Sequence, residues 1–317
     1  MVAINSALQD RIGIGIWSGD ATRILAQIQA AEAAGLKQVW VTQSPTTADT
    51  LSVLAAAAAQ TQNIRLGTAI IPLFPRPPLL VAQQVFTIED LAPGRFRLGL
   101  GVGNPAVTET AYGQDYAPPL ARLREYFNVL RPLLWDGCAD FHGQFFDITV
   151  EEFPVTRTPI LISALGAKAF RLAGEIADGA ISWMCPLEYL RATALPALRE
   201  GAAAAGRSQP PLIAHVPVSL TADVEAARAV ARQTLDFFLK SPTYVSMFTA
   251  AGFAVQQAAQ AVEALIDELF VMGEEAQVAE RLQAILASGI DEIVVGPVAL
   301  GDETEMRARL AKLIISL

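Results

Sequence analysis

The segment Ile162-Ser-Ala-Leu-Gly-Ala-Lys168 carries the clearest chemical signal in the chain. An apolar strand ends, a turn of small residues follows, and a helix begins. Amides at a helix start have no earlier carbonyl to bond, so they bind anions readily. Lys168 adds a positive charge in the first turn, where it opposes the helix dipole. That placement points to a negatively charged ligand; the plainer alternative is an ordinary loop with a solvated lysine. Gly13-x-Gly15-x-x-x-Gly19 looks superficially like a dinucleotide fingerprint. Its spacing is wrong, it starts inside a strand, and no acidic residue ends the next strand. In Gly99-x-Gly101-x-Gly103 the glycines permit close packing or close ligand approach, and Gly101 to Gly103 would leave room for a flat ring. Leu66 to Pro72 is an apolar strand with a proline stop; spacing alone does not separate a core role from a pocket role.

The only two histidines, His142 and His215, have no partnered acid or nucleophile nearby in sequence. His142 is expected to be solvated on a hairpin, and His215 to be a hydrogen-bonded core residue of a strand. Cys138 and Cys185 form no CxxC pair and no metal spacing with the histidines. They read as reduced thiols of a cytoplasmic protein. No Ser-His-Asp order, metal cluster or catalytic carboxylate pair emerges. Hydride transfer from an organic cofactor is a chemistry that asks for few protein acids or bases.

The elements that must position these groups alternate between strand and helix. Strands are expected at residues 11–17, 38–42, 64–71, 96–102, 160–163, 179–184, 212–219 and 291–295. Helices are expected at 22–34 (closed by Gly35), 49–59 (opened by Asp49), 79–91, 120–135, 167–176, 187–205 and from Glu303 onward. Near-continuous apolar strands alternating with helices imply a parallel sheet covered by helices. Eight such units favour closure into a (β/α)8 barrel over an open doubly wound sheet. Two segments exceed the minimal plan: Cys138 to Val150, read as a hairpin turning near Gly143, and Lys240 to Met272, read as a mostly helical insertion. Such additions at the strand C-termini shape the pocket of a barrel.

The chain has 317 residues, 52% hydrophobic and 17% charged, enough for a large core and too apolar for disorder. No linker or repeat divides it, so one domain over 1–317 is expected. The net charge is −9, and the four lysines are Lys37, Lys168, Lys240 and Lys312. No basic patch suits nucleic acid. No apolar run is long enough to span a membrane, and the N-terminus shows no signal-peptide pattern. A small molecule is the expected partner.

Four stretches, Leu66 to Gln84, Leu91 to Gly103, Arg124 to Leu134 and Pro159 to Met184, together resemble the bacterial-luciferase-like family of flavin- or deazaflavin-dependent oxidoreductases. The resemblance is strong over residues 11–190 and looser beyond. It is nearest to the coenzyme F420-dependent branch, through the GTAIIP…PRPP and LAGEIADG…SWM combination. It implies a TIM barrel, commonly a homodimer, with the ring system at the strand C-termini. By that resemblance Ala69-Ile70 occupies the place of a non-prolyl cis peptide backing the deazaflavin, next to Thr68. Gln43 and Asn104 match polar positions facing the cofactor. Ala164, Leu165, Gly166, Ala167 and Lys168 match the phosphate-binding turn. Trp17, Phe74 and Trp183 are candidates to line the substrate face, with core packing as the plainer fate.

There are departures. Relatives that oxidise sugar phosphates or alcohols carry a His after the strand-two position and a Glu after strand four; here these are Ser44 and Ala106. The implied activity shifts to reduction of a C=C or C=N bond by reduced coenzyme F420, with no catalytic acid or base assigned. The alternatives are an FMN-dependent monooxygenase and a non-catalytic cofactor-binding barrel.

Overall fold

The computed structural model describes residues 8–17 and 19–317. The expectation of no signal peptide at the extreme N-terminus falls on residues 1–7, outside the described residues.

Eight strands form the frame: β1 (Ile12–Ile16), β2 (Gln38–Val41), β3 (Arg65–Thr68), β4 (Phe96–Gly101), β5 (Ile160–Ser163), β6 (Gly179–Ser182), β7 (Leu212–Leu220) and β8 (Glu292–Pro297). Each pairs in parallel with its neighbour, β8 pairs with β1, and β6 pairs with β7, so the ring closes. The architecture is the expected (β/α)8 barrel, not the competing open sheet. Strands buried on both faces explain the short unbroken apolar runs such as IGIGI and QVWV. Inside the ring Trp40, Leu161, Ile181, Ile213 and Val294 pack together, while the outward faces join the larger core under the helices. Trp40 is the bulkiest plug. A Cβ at Gly13 or Gly67 would come within 2.8 or 2.5 Å of its ring, so those strand glycines serve packing.

The helices start where local chemistry says they should. Asp49 accepts from the Ser52 amide at 2.9 Å and caps Thr50–Gln60. Gly35, just beyond Ala21–Ala33, sits at φ +92°, a conformation that suits glycine. The segment 187–205 is broken by a π-helical turn at Leu190–Ala194, immediately before Pro196, whose nitrogen has no hydrogen to donate. The hairpin forms as expected, pairing Ala139–His142 with Asp147–Val150; Gly143 donates to Phe146 at 2.8 Å. His142 is exposed there and bonds Asp147 at 2.6 Å. The second addition contains helices Pro242–Ala250 and Ala259–Leu269. It also ends in a strand, Val271–Gly273, paired with Val218–Leu220 of β7. Three apolar residues carry too little periodicity to separate strand from helix.

Helices Ala167–Ile176 and Leu195–Ala204 cross at two glycines. A Cβ on Gly174 would run into the Leu198 carbonyl, and one on Gly201 into the Arg171 carbonyl. Gly201→Ala is therefore expected to destabilise by about 1–3 kcal/mol through overpacking, despite alanine's better helix propensity. Urea unfolding checks this; an unchanged or higher midpoint would mean that the crossing relaxes freely.

Candidate functional site at the barrel mouth

The C-terminal ends of the strands gather most of the expected site residues. The Ala69–Ile70 peptide is cis, at the position the resemblance indicated. It is held by three bonds: Ala69 N–H to the Val41 carbonyl at 2.9 Å, Thr42 Oγ1 to the Ala69 carbonyl at 2.7 Å, and Gln43 N–H to the Ile70 carbonyl at 3.2 Å. Thr68 is fully buried; its hydroxyl accepts from Gly99 N–H at 2.7 Å and lies 2.9 Å from the Gly99 carbonyl. It stitches β3 to β4. Pairing resumes at Ile71 and Pro72 beside Leu100 and Gly101. Side chains of Ile70 and Ser163 occupy the space that a Cβ on Gly101 would need. Gly101 thus makes room for protein atoms, where the sequence pattern had suggested a flat ring; Gly103 is a turn glycine at φ +68°.

The polar candidates divide. The Gln43 side chain is committed to protein: its oxygen accepts from Thr50 N–H at 2.8 Å and from Arg76 Nη2 at 3.2 Å, and its nitrogen donates to the Ser44 carbonyl at 2.7 Å. Asn104 accepts from Ala106 N–H at 2.9 Å and caps Pro105–Thr110. At the end of β5, Ala164 is buried and Leu165 half-buried, while Gly166, Ala167 and Lys168 are exposed. Gly166 is the N-cap of Ala167–Ile176, with no side-chain cap and open space where a Cβ would sit. Next to Lys168, Arg124 and Arg171 are both paired with Glu175. Lys168 has no ion pair among the described residues.

Trp17 and Trp183 come together, with ring centroids 5.4 Å apart at 83°. They line a cavity of about 390 Å³ together with Met184, His215, Pro217, Val298 and part of the helix Val224–Phe238. Phe74 does not join them. It is buried, stacked on Tyr116 at 5.3 Å, with the Arg122 guanidinium 5.0 Å over its ring. Three aromatics on three different loops are not distinguishable by spacing as core or wall.

His215 corrects another expectation. It is buried, but neither ring nitrogen has a hydrogen-bond partner among the described residues. Burial pushes its pKa down to about 3, so the ring is neutral. A signal was available: Ile213, His215 and Pro217 alternate on the inward face of β7, which makes His215 a polar residue pointed into the barrel. Burial likewise pushes the Cys185 thiol and the Tyr116 hydroxyl up to about 12. None of these three groups titrates near neutrality. Among the described residues no group of three or more metal-ligating side chains converges, and no helix is long and apolar enough to cross a membrane.

A closed parallel barrel with an apolar mouth, an uncapped helix N-terminus and few titrating groups defines a class: a (β/α)8 scaffold suited to a bound organic cofactor. The family described as luciferase-like monooxygenase matches residues 5–292, and the chain belongs to that family. An F420-dependent glucose-6-phosphate dehydrogenase of Nocardia farcinica is 30% identical over 256 residues, covering 77% of this chain and 76% of that one. A 5,10-methylenetetrahydromethanopterin reductase of Archaeoglobus fulgidus is 26% identical over 293 residues, covering 85% and 87%. The solved coenzyme F420-dependent tetrahydromethanopterin reductase of Methanopyrus kandleri shares the fold with a TM-score of 0.77 at 21% identity, covering 96% and 98%.

Proposed function

We propose that this chain is a coenzyme F420-dependent oxidoreductase, built as one domain, that reduces a C=C or C=N bond of a small organic molecule. The relative named as an F420-dependent dehydrogenase supports the cofactor, and the one named as a methylenetetrahydromethanopterin reductase supports the direction. The carrying observation is the start of helix Ala167–Ile176: open at Gly166, uncapped, and flanked by Lys168, which has no ion pair among the described residues. An anionic tail fits that donor set. The cis bond at Ala69–Ile70 fits a surface for the ring system. When bound, the reduced cofactor supplies a hydride from carbon five of its deazaflavin. The protein's part is to position and to exclude water: Ala167 and Lys168 amides hold negative charge, Ile70 backs a planar group, and Trp17 and Trp183 wall the substrate side. Ser44 and Ala106 offer neither base nor acid, which argues against alcohol oxidation. A homodimer belongs to this proposal on the resemblance alone, and a cytoplasmic location on the reading of Cys138 and Cys185 as reduced thiols.

Absorbance titration with coenzyme F420 and with FMN tests the reading. Tight F420 binding with much weaker FMN binding is expected. Comparable FMN binding, with oxygen consumption when reduced FMN is supplied, would favour the monooxygenase named for the family. Lys168→Glu is expected to raise the F420 dissociation constant about tenfold, which is ~1.4 kcal/mol. An unchanged constant would remove Lys168 from the anion site.

A further inference from the structure

Helix Val224–Phe238 follows β7 and forms one side of the 390 Å³ cavity. It gives the cavity Val230, Thr234 and Phe238, spaced four apart, so a single stripe of the helix faces the open space. All three are half-buried. Thr234 Oγ1 donates to the Val230 carbonyl at 3.0 Å, one turn back, so its proton is spent within the helix. The cations of this helix are turned elsewhere. Arg232 Nε and Nη2 lie 2.5 and 2.8 Å from the Glu263 carboxylate. Arg228 bonds Glu263 at 3.1 Å and also Asp267. Both acids stand on Ala259–Leu269, so a second helix occupies the arginine stripe. The rest of the cavity wall includes Trp17, Trp183 and Val298. Among the described residues no charged side chain lines it, and its one titratable side chain, His215, is neutral. The volume lies in the range of small-molecule sites. Trp183 and Ile70 both pack on the inner cluster that holds Ala69 and Ile181, so the cavity and the cis peptide share the mouth.

We propose that helix Val224–Phe238 is the specificity element of this cavity: its stripe of Val230, Thr234 and Phe238 admits an uncharged, largely apolar molecule and turns away an anion of the same shape. The assignment rests on the functional reading above only in taking that molecule as the substrate. An apolar molecule exchanges water for contact with Phe238 and the two tryptophans. A carboxylate or phosphate would lose its hydration there and meet no cation in return. The register of the helix decides whether the apolar stripe or the arginines meet the cavity. To serve an anion, Arg228 or Arg232 would have to leave Glu263 and Asp267 behind.

The test uses 2-naphthamide and 2-naphthoate, which share a shape and differ by one charge. Equilibrium dialysis without any cofactor is expected to show the wild-type protein binding the amide at least tenfold more tightly than the carboxylate. Thr234→Lys puts a cation on the stripe and should shift the ratio about tenfold toward 2-naphthoate. Val230→Lys, one turn earlier, should do the same. Gln233→Lys adds the same charge at an exposed position of the same helix, and its ratio should stay that of the wild type. Equal wild-type binding of the two probes, binding of neither, a ratio unmoved in both stripe variants, or an equal shift in Gln233→Lys would overturn the assignment. So would displacement of 2-naphthamide by coenzyme F420, which would make the cavity the seat of the ring system. F420 affinity is measured separately. Its absence beside intact, stripe-dependent selectivity would sink the functional reading and leave the role of the helix standing.

Discussion

Arg97→Leu is expected to destabilise the protein by about 3–5 kcal/mol, the cost of leaving a buried charge without its partner. Arg97 on β4 reaches across the interior to Glu292 at the start of β8, with Nη1 and Nη2 at 2.7 and 2.9 Å from the two carboxylate oxygens. Both side chains are only 16% exposed. The guanidinium also bonds Gln38 Oε1 and lies 4.4 Å over the Trp40 ring. Leucine would keep apolar contact with Trp40 but leave Glu292 uncompensated. Burial raises the Glu292 pKa, but Arg97, with Gln38 and Arg65, outweighs burial and holds it below the usual 4.5. A carboxylate depressed in the folded state stabilises fully above its unfolded pKa, and that stability is lost as pH falls through the folded value. In Arg97→Leu only Gln38 and Arg65 still oppose burial, so the pKa rises from its wild-type position. The deficit should therefore be largest at neutral pH and shrink on acidification, as Glu292 takes up a proton. Urea unfolding at pH 7 and pH 5 measures both effects. Adding Glu292→Gln should recover much of the loss. A deficit below 1 kcal/mol, or one equal at both pH values, would mean that the pair is solvated.

Gly166→Asp is expected to separate fold from function. Aspartate is among the best N-caps, and the open space at Gly166 accommodates a side chain at φ −97°. The helix Ala167–Ile176 should be as stable as before or slightly more so. The same carboxylate would occupy the amides proposed for an anionic cofactor tail and repel it. A 10- to 100-fold loss of F420 affinity is expected, or about 1.4–2.7 kcal/mol, with no loss in thermal midpoint. Retained affinity in a folded variant would place the anion elsewhere on the mouth.

Much of the frame is legible in the amino-acid sequence. The eight strands fall within a few residues of their apolar runs, the hairpin turns at Gly143, and helix 167–176 has the expected bounds. These features depend on local patterns: burial on both faces of a strand, a cap beside a periodic run, a glycine past a helix end. The position of the cis bond followed from resemblance in a contiguous stretch. Side-chain allegiance was not legible. Gln43 spends its amide on Thr50 and Arg76, Asn104 caps its own helix, and Phe74 disappears beneath Tyr116. Each choice is made by partners that only the closed ring brings near.

The amino-acid order alone determined which segments are strands and helices, that eight units alternate, and where a helix starts on a glycine with no side-chain cap. The tertiary structure decided what each polar side chain at the mouth is free to do. Closing the barrel sets β1, β6, β7 and β8 side by side, and so places Trp17 and Trp183 against the His215 imidazole. Hydrogen bonding is short-ranged and directional, so a residue's availability depends on neighbours distant in sequence, which periodicity does not encode.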